Sequence, residues 1–156
     1  MRIGVISDTH GLLRPQVFTF FDGVEHILHA GDIGPLSLLV ELEAIAPVTA
    51  VWGNTDGLDV RNALPEVGEI ELAGKRIVVT HGHQQGSPTP DALQLTHPEA
   101  DIIVYGHTHR PMKREIGPCL VLNPGGAGAP RFGLRPSLML LHIEIDALHT
   151  ELLELV

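Results

Sequence analysis

The sequence predicts an α/β (α+β) chain, two stacked mixed sheets with helices outside them. Three observations carry that reading. Apolar strand-like runs alternate with helical patterns through the first half. The second half is mostly β, in hairpins about glycine-rich turns. Polar residues also gather just past the ends of five strands, which puts those exit loops on one rim. With 156 residues, 44% of them hydrophobic, the chain suffices for one domain over residues 1–156 with a proper core.

Residues 1–6 read as a buried strand, with Ser7-Asp8-Thr9-His10-Gly11 at its carboxyl end. Asp8 and His10 stand two apart, the side-chain period of an extended chain, so both can face one site. A carboxylate beside an imidazole is half a site for a borderline or hard dication. Asp8 is equally placed to cap the helix that Pro15 opens. Val17, Phe18 and Phe21 supply that helix's core face, and Asp22-Gly23 closes it. Residues 25–29 form the second strand, ending in Ala30-Gly31-Asp32, a second carboxylate beside a glycine that lets backbone approach. His26 and His29 precede that exit and read as core-edge or surface residues. Pro35 opens a helix through Leu36, Leu39, Val40 and Glu43, closed by Pro47. Residues 48–52 are the third strand, and Gly53-Asn54-Thr55-Asp56-Gly57 is its exit loop. There Asn54 offers a neutral oxygen to a metal or a donor to phosphate. Residues 58–67 read as an irregular surface connection.

Residues 69–72 and 75–80 flank Ala73-Gly74 as a hairpin whose second strand exits at His81-Gly82-His83. His83 is either a contact in the same site as His81 or a solvated loop residue. After a polar loop over 84–89, Thr89-Pro90 caps a short helix through Leu95. The apolar run Asp101-Ile102-Ile103-Val104 then leads into Tyr105-Gly106-His107-Thr108-His109, a second pair two apart. Imidazole is the commonest nitrogen ligand of transition dications, although one such pair is a weak signal by itself. Residues 112–116 and 119–122 make a hairpin about Gly117-Pro118, ended by Asn123-Pro124-Gly125-Gly126-Ala127-Gly128. No Lys-Ser/Thr or helical pattern follows that glycine run, so it reads as a tight turn lining the site rather than a phosphate loop. Residues 137–145 and 148–155 close the chain as a hairpin, and His97, His142 and His149 fall at surface or sheet positions.

The net charge of −9, from nineteen acidic and ten basic residues, argues against an extended nucleic-acid surface or an anionic-membrane partner. Bound dications would reverse that sign locally. No run approaches the ~20 apolar residues of a membrane span, and no signal-peptide core opens the chain, so the expectation is cytoplasmic. The lone Cys119 excludes an intrachain disulfide and a thiolate cluster.

The strand ends together supply seven ligand candidates, Asp8, His10, Asp32, Asn54, His81, His107 and His109. That is too many for one tetrahedral zinc and suits two five- or six-coordinate ions sharing a bridge. Asp8-x-His10, Gly31-Asp32, Gly53-Asn54-x-Asp56, His81-Gly82 and Gly106-His107-x-His109, in that order over residues 2–126, resemble the calcineurin-like metallophosphoesterase superfamily. Within it, the small capless phosphodiesterases match best. The resemblance implies a four-layer αββα sandwich with a dinuclear centre at its rim. It implies Asp8, His10 and His109 on a first ion, Asn54, His81 and His107 on a second, and Asp32 bridging both. It further implies two divalent transition ions (Mn, Ni, Fe, Co or Zn) and a catalytic set of Asp32, Asn54, His81 and His107 around a metal-bridged hydroxide. The implied substrate is a small phosphodiester or phosphoester. Ions roughly 3.5–4 Å apart suit that chemistry, since they can clamp phosphate oxygens for in-line displacement. Thr55 departs from the pattern, because larger members carry a histidine there that serves as general acid or phosphate clamp. The competing reading is a protein-interaction scaffold on the same fold, a role with which a degraded metal site would agree. Here all seven positions hold competent residues. A nuclease on long DNA or RNA fits the acidic charge poorly, and the sequence leaves homo-oligomerisation open.

Overall fold

The computed structural model describes residues 1–155. Its two five-stranded sheets are built about inner strands that are apolar on both sides, as strands covered on both faces must be. The first sheet runs β10 (Leu148–Glu154), β9 (Ser137–Ile143), β1 (Arg2–Ile6), β2 (His26–His29), β3 (Val48–Ala50). In it β1, β2 and β3 are parallel, while β9 pairs antiparallel with both β1 and β10. The second runs β4 (Val67–Leu72), β5 (Lys75–Thr80), β6 (Ile102–Val104), β8 (Cys119–Asn123), β7 (Met112–Ile116). There β5, β6 and β8 are parallel and β4 and β7 are antiparallel edges. Each sheet is therefore mixed, and β1 and β6 are the central strands.

Alternation divides the side chains into layers. Ile3, Val5, Ile77, Val79, Ile102, Val104, Leu120, Leu122, Met139 and Leu141 form the core between the sheets. Ile6, Ile27, Leu138 and Leu140 point the other way, to α1 (Pro15–Phe20), α2 (Leu36–Glu43) and α3 (Leu58–Ala63). Val78, Ile103, Tyr105 and Val121 pack with Leu93 of α4 (Pro90–Thr96). The result is the four-layer αββα arrangement. Each fully buried aliphatic side chain contributes about 1.5–3 kcal/mol.

Local chemistry starts and stops these elements. Pro15 and Pro90 occupy first-turn positions of α1 and α4, and Thr89 Oγ1 accepts the Ala92 N–H at 3.2 Å. Ala73 and Gly74, at φ 49° and 77°, form the two-residue turn that sets Leu72 opposite Lys75. No described helix is long and apolar enough to cross a membrane.

Several expectations change. Residues 58–63 are helical, because Val60 is drawn into the core and Arg61 ties the turn to the preceding loop. Asp8 caps nothing: α1 begins after Arg14 without a side-chain cap. Phe18 and Val40 are exposed, since Val17 and Phe21 face the core in the first helix and Leu38, Leu39 and Leu42 in the second. His29 is fully buried, where the sequence suggested a core edge or the surface.

Candidate metal centre

The central strands end early, β1 at Ile6 and β6 at Val104, so the two pairs of candidate ligands lie in loops rather than on extended chain. Left-handed backbone turns them inward instead: φ is 53° at Asp8, 46° at His10, 52° at Asp32, 70° at His107 and 59° at His109. That conformation costs a non-glycine residue roughly 1–2 kcal/mol, and such strain persists where the surroundings over-determine it, typically at functional sites. Here a backbone ladder carries the β1–β2 pairing into the loops. The Asp8 N–H donates to Gly31 O (3.0 Å), His10 N–H to Asp32 O (3.0 Å) and Gly11 N–H to Ile33 O (2.8 Å). Gly106 is required by closeness, because a Cβ there would strike Ser7 Oγ and Asp8 Oδ2. Through that contact the exit of β6 closes on the exit of β1.

Five of the seven candidates converge. Asp8 Oδ1 lies 3.3 Å from His109 Nε2, 3.8 Å from His10 Nε2 and 3.9 Å from His81 Nε2. Asp32 Oδ2 lies 3.2 Å from His81 Nε2 and 3.8 Å from His10 Nε2. Two ligand groups result, Asp8–His10–His109 and Asp8–Asp32–His81, each with its ligand atoms within 4.8 Å of one another. Asp8 belongs to both groups. His107 sits at the edge, its ring 5.1 Å from that of His81 and edge-on to it. Asn54 stands exposed on the adjoining loop, its backbone carbonyl held by Arg61 Nη2 at 2.9 Å.

Asp8 Oδ1, His10 Nε2 and His81 Nε2 are buried without a hydrogen-bond partner. The other half of each group is engaged or oriented. Asp8 Oδ2 accepts Ser7 Oγ–H at 2.7 Å and the His107 N–H at 3.1 Å. The His81 Nδ1–H donates to Ala30 O at 2.7 Å, which leaves the Nε2 lone pair facing the carboxylates. Buried polar atoms left unpaired are costly unless something else satisfies them, and a dication fits these oxygen and nitrogen donors. Burial would raise the carboxyl of Asp32, but His81 and the Thr55 N–H outweigh it and hold the group ionised well below the usual range. Asp8 is lowered in the same way, with His109, His81 and Ser7 outweighing its burial. Burial opposes charge on His81, yet Asp32 and Asp8 raise its imidazole above the ordinary value.

Several supporting residues escaped sequence reasoning. Asp56 Oδ1 accepts the Ile33 and Gly34 N–H groups (2.9 and 3.1 Å), and its Oδ2 accepts the Gly53 N–H (2.9 Å). It thus clamps the β2 exit to the β3 exit, a role that its place in the motif Gly53-Asn54-x-Asp56 does not disclose. The Gly31 N–H donates to His29 Nδ1 (3.2 Å), so Nε2 carries the proton and donates to Thr9 Oγ1 (3.0 Å). The Thr9 Oγ1–H in turn donates to Ile33 O at 2.8 Å. His83 lies beside the centre, its ring 5.5 Å from His81 and 5.2 Å from Trp52, with Nε2 3.5 Å from Glu66 Oε1. The glycine run lies against the site as expected, Ala127 N–H donating to Ser7 O and Gly128 N–H to Asp8 O.

The chain is similar to known proteins in sequence and fold. A probable metallophosphoesterase of Methanothermobacter thermautotrophicus is 38% identical, over 98% of this chain and 92% of its own. The structure of an archaeal phosphodiesterase superposes with a TM-score of 0.80 at 28% identity, covering 98% of this chain and 100% of that one. Wild-type Vps29 of Entamoeba histolytica complexed with zinc superposes with a TM-score of 0.79 at 29% identity, covering 99% of each chain. The family model for the calcineurin-like phosphoesterase superfamily domain matches residues 1–146. With that domain spanning nearly the whole sequence and a relative alike along nearly all its length, the chain belongs to the calcineurin-like phosphoesterase superfamily.

Proposed function

We propose that this chain is a phosphodiesterase that binds two divalent transition-metal ions, with Asp8, His10 and His109 holding one, Asn54, His81 and His107 the other, and Asp32 shared. The observation that carries the reading is the set of orphaned buried atoms, Asp8 Oδ1, His10 Nε2 and His81 Nε2, converging on one spot. Divalent ions held there would polarise a phosphoryl oxygen and activate water for in-line displacement. The chain's own contribution is pre-organisation. Ser7 and the His107 N–H turn one face of the Asp8 carboxylate inward, and Ala30 O selects the His81 tautomer with a free Nε2. A rim made of exit loops from both sheets leaves room for a small ester, and the net charge of −9 disfavours a polymer. Thr55 gives its backbone N–H to Asp32, and its hydroxyl is too weak an acid to protonate a departing alkoxide. Rates should therefore fall as the leaving group becomes more basic.

The test is hydrolysis of bis(4-nitrophenyl) phosphate and 4-nitrophenyl phosphate by metal-stripped protein reloaded with Mn, Ni, Co, Fe or Zn singly. The expected result is two ions per chain, the diester cleaved faster than the monoester, and loss of at least 100-fold in rate for Asp32→Asn, on the order of other catalytic electrostatic groups. A chain that saturates with one ion, or that cleaves neither ester with any metal, defeats the proposal. The second outcome, with metal still bound, favours the scaffold reading suggested by the likeness to Vps29.

A further inference from the structure

A cleft of about 370 Å³ opens beside the metal centre, lined by His107, Thr108, Arg110, Phe132 and the turn at 86–88. Its volume falls within the roughly 300–1,000 Å³ of small-ligand sites. Two lining residues touch the centre directly. The His107 ring stands edge-on to His81, and the Phe132 ring stands edge-on to His109 at 6.1 Å between centroids. A molecule with its phosphate at the carboxylate–imidazole cluster would extend its ester arm here.

Phe132 turns its ring toward this cleft rather than the core and is 73% exposed. Its φ of 56° and the 69° of Gly133 belong to the two-residue turn that pairs Arg131 with Leu134, whose N–H donates to Arg131 O at 2.9 Å. Asn, Asp or Gly suits the first position of such a turn, so a bulky aromatic held there against His109, at the edge of the site, points to a ligand contact. Arg110 is the second unusual feature. Its backbone N–H is taken by Thr108 Oγ1, while its exposed guanidinium enters none of the ion pairs among the described residues. It brings positive charge to the cleft in a chain of net charge −9.

We infer that this cleft binds the nucleobase of a small, mononucleotide-type phosphoester, stacked on Phe132, with Arg110 donating to the base edge. The inference rests on the phosphodiesterase reading. A base is favoured over a plain aryl ring because a guanidinium offers only donors, and a base edge offers acceptors where a phenyl ring offers none. A mononucleotide is favoured over a polymer because a chain of net charge −9 repels an extended phosphate backbone.

The test is calorimetric titration of AMP, ribose 5-phosphate and phenyl phosphate into the manganese-loaded protein, which reads binding and not turnover. AMP is expected to bind about tenfold more tightly than ribose 5-phosphate, the scale of one base–aromatic stacking contact. Phe132→Ala should bring AMP to the ribose 5-phosphate level, Phe132→Tyr should retain the difference, and Phe132→Leu should lose most of it. Arg110→Ala should weaken AMP more than phenyl phosphate. Equal binding of AMP and ribose 5-phosphate, or a preference that Phe132→Ala leaves intact, overturns the inference while the phosphate site stands. Phenyl phosphate binding as tightly as AMP overturns the nucleobase assignment. Failure of all three compounds to bind overturns the inference, while the diester assay above decides the phosphodiesterase reading separately.

Discussion

Among single residues, His29 shows how a polar group can be buried without serving as a ligand. Its two ring nitrogens are both paired, to the Gly31 N–H and to Thr9 Oγ1, so the neutral ring is satisfied and the charged one is not. Burial pushes its pKa from the usual 6.5 down to about 3. Between those values the unfolded chain binds a proton that the folded chain refuses, so stability is complete above the upper value and declines as pH falls toward the lower one. The slope expected from this group is about 1.4 kcal/mol per pH unit near pH 5. Urea midpoints of wild type and His29→Gln, measured from pH 7 to pH 4, should converge as the pH drops. A wild-type minus variant difference that stays constant across that range would remove His29 from the account.

Among elements, the strand-exit loops matter more than the strands they follow. Three parallel strands end side by side in the first sheet, and the backbone ladder that continues from β1 and β2 joins their two exit loops to each other but not to the loop beyond β3. Asp56 makes that join with three backbone N–H groups, and Arg61 completes the latch. The Arg61 guanidinium donates to Asp56 O and Asn54 O and lies 4.6 Å above the Trp52 ring, which makes the one-turn helix α3 an anchor for Asn54. Asp56→Ala would strand buried donors that were bonded to a charged acceptor. The expected loss is about 3 kcal/mol, read as a shift in urea midpoint with unchanged slope. A loss under about 0.5 kcal/mol would mean that the loops hold themselves.

For the whole molecule, the centre joins the two sheets, since Asp8 and Asp32 come from the first and His81 and His109 from the second. A dication bound there cross-links both halves, and we propose that they unfold as one cooperative unit. Manganese at about 100 times its dissociation constant should add about 2.7 kcal/mol. For a chain of this size that is roughly 5–10 °C in Tm. Chelator should reverse the shift, and Asp8→Asn should abolish most of it. Two resolved transitions in calorimetry would separate the sheets into independent units.

Much of this was legible in the chain alone. Period-two apolar runs, Pro and Gly punctuation and the polar residues at strand ends specify the strands, α1, α2, α4 and the candidate ligands, because those signals are local. Thr89-Pro90 marks a helix start by chemistry confined to neighbouring residues. What only the tertiary structure decided depends on partners distant in sequence. Asp56 reads only as one more polar residue of an exit loop until Ile33 and Gly34 are brought to it, and His29 reads as peripheral until Thr9 and Gly31 enclose it. Helix α3 carries too weak a pattern to declare itself before Val60 finds the core. The two histidine-bearing loops were expected to turn their candidate ligands inward by extended periodicity, whereas left-handed turns bring Asp8, His10 and His109 together, a conformation that side-chain identity does not encode at Asp8, His10, His107 or His109. Those angles are imposed by the ladder from β2 and by the meeting of the β1 and β6 exits, contacts that exist only once both sheets have formed.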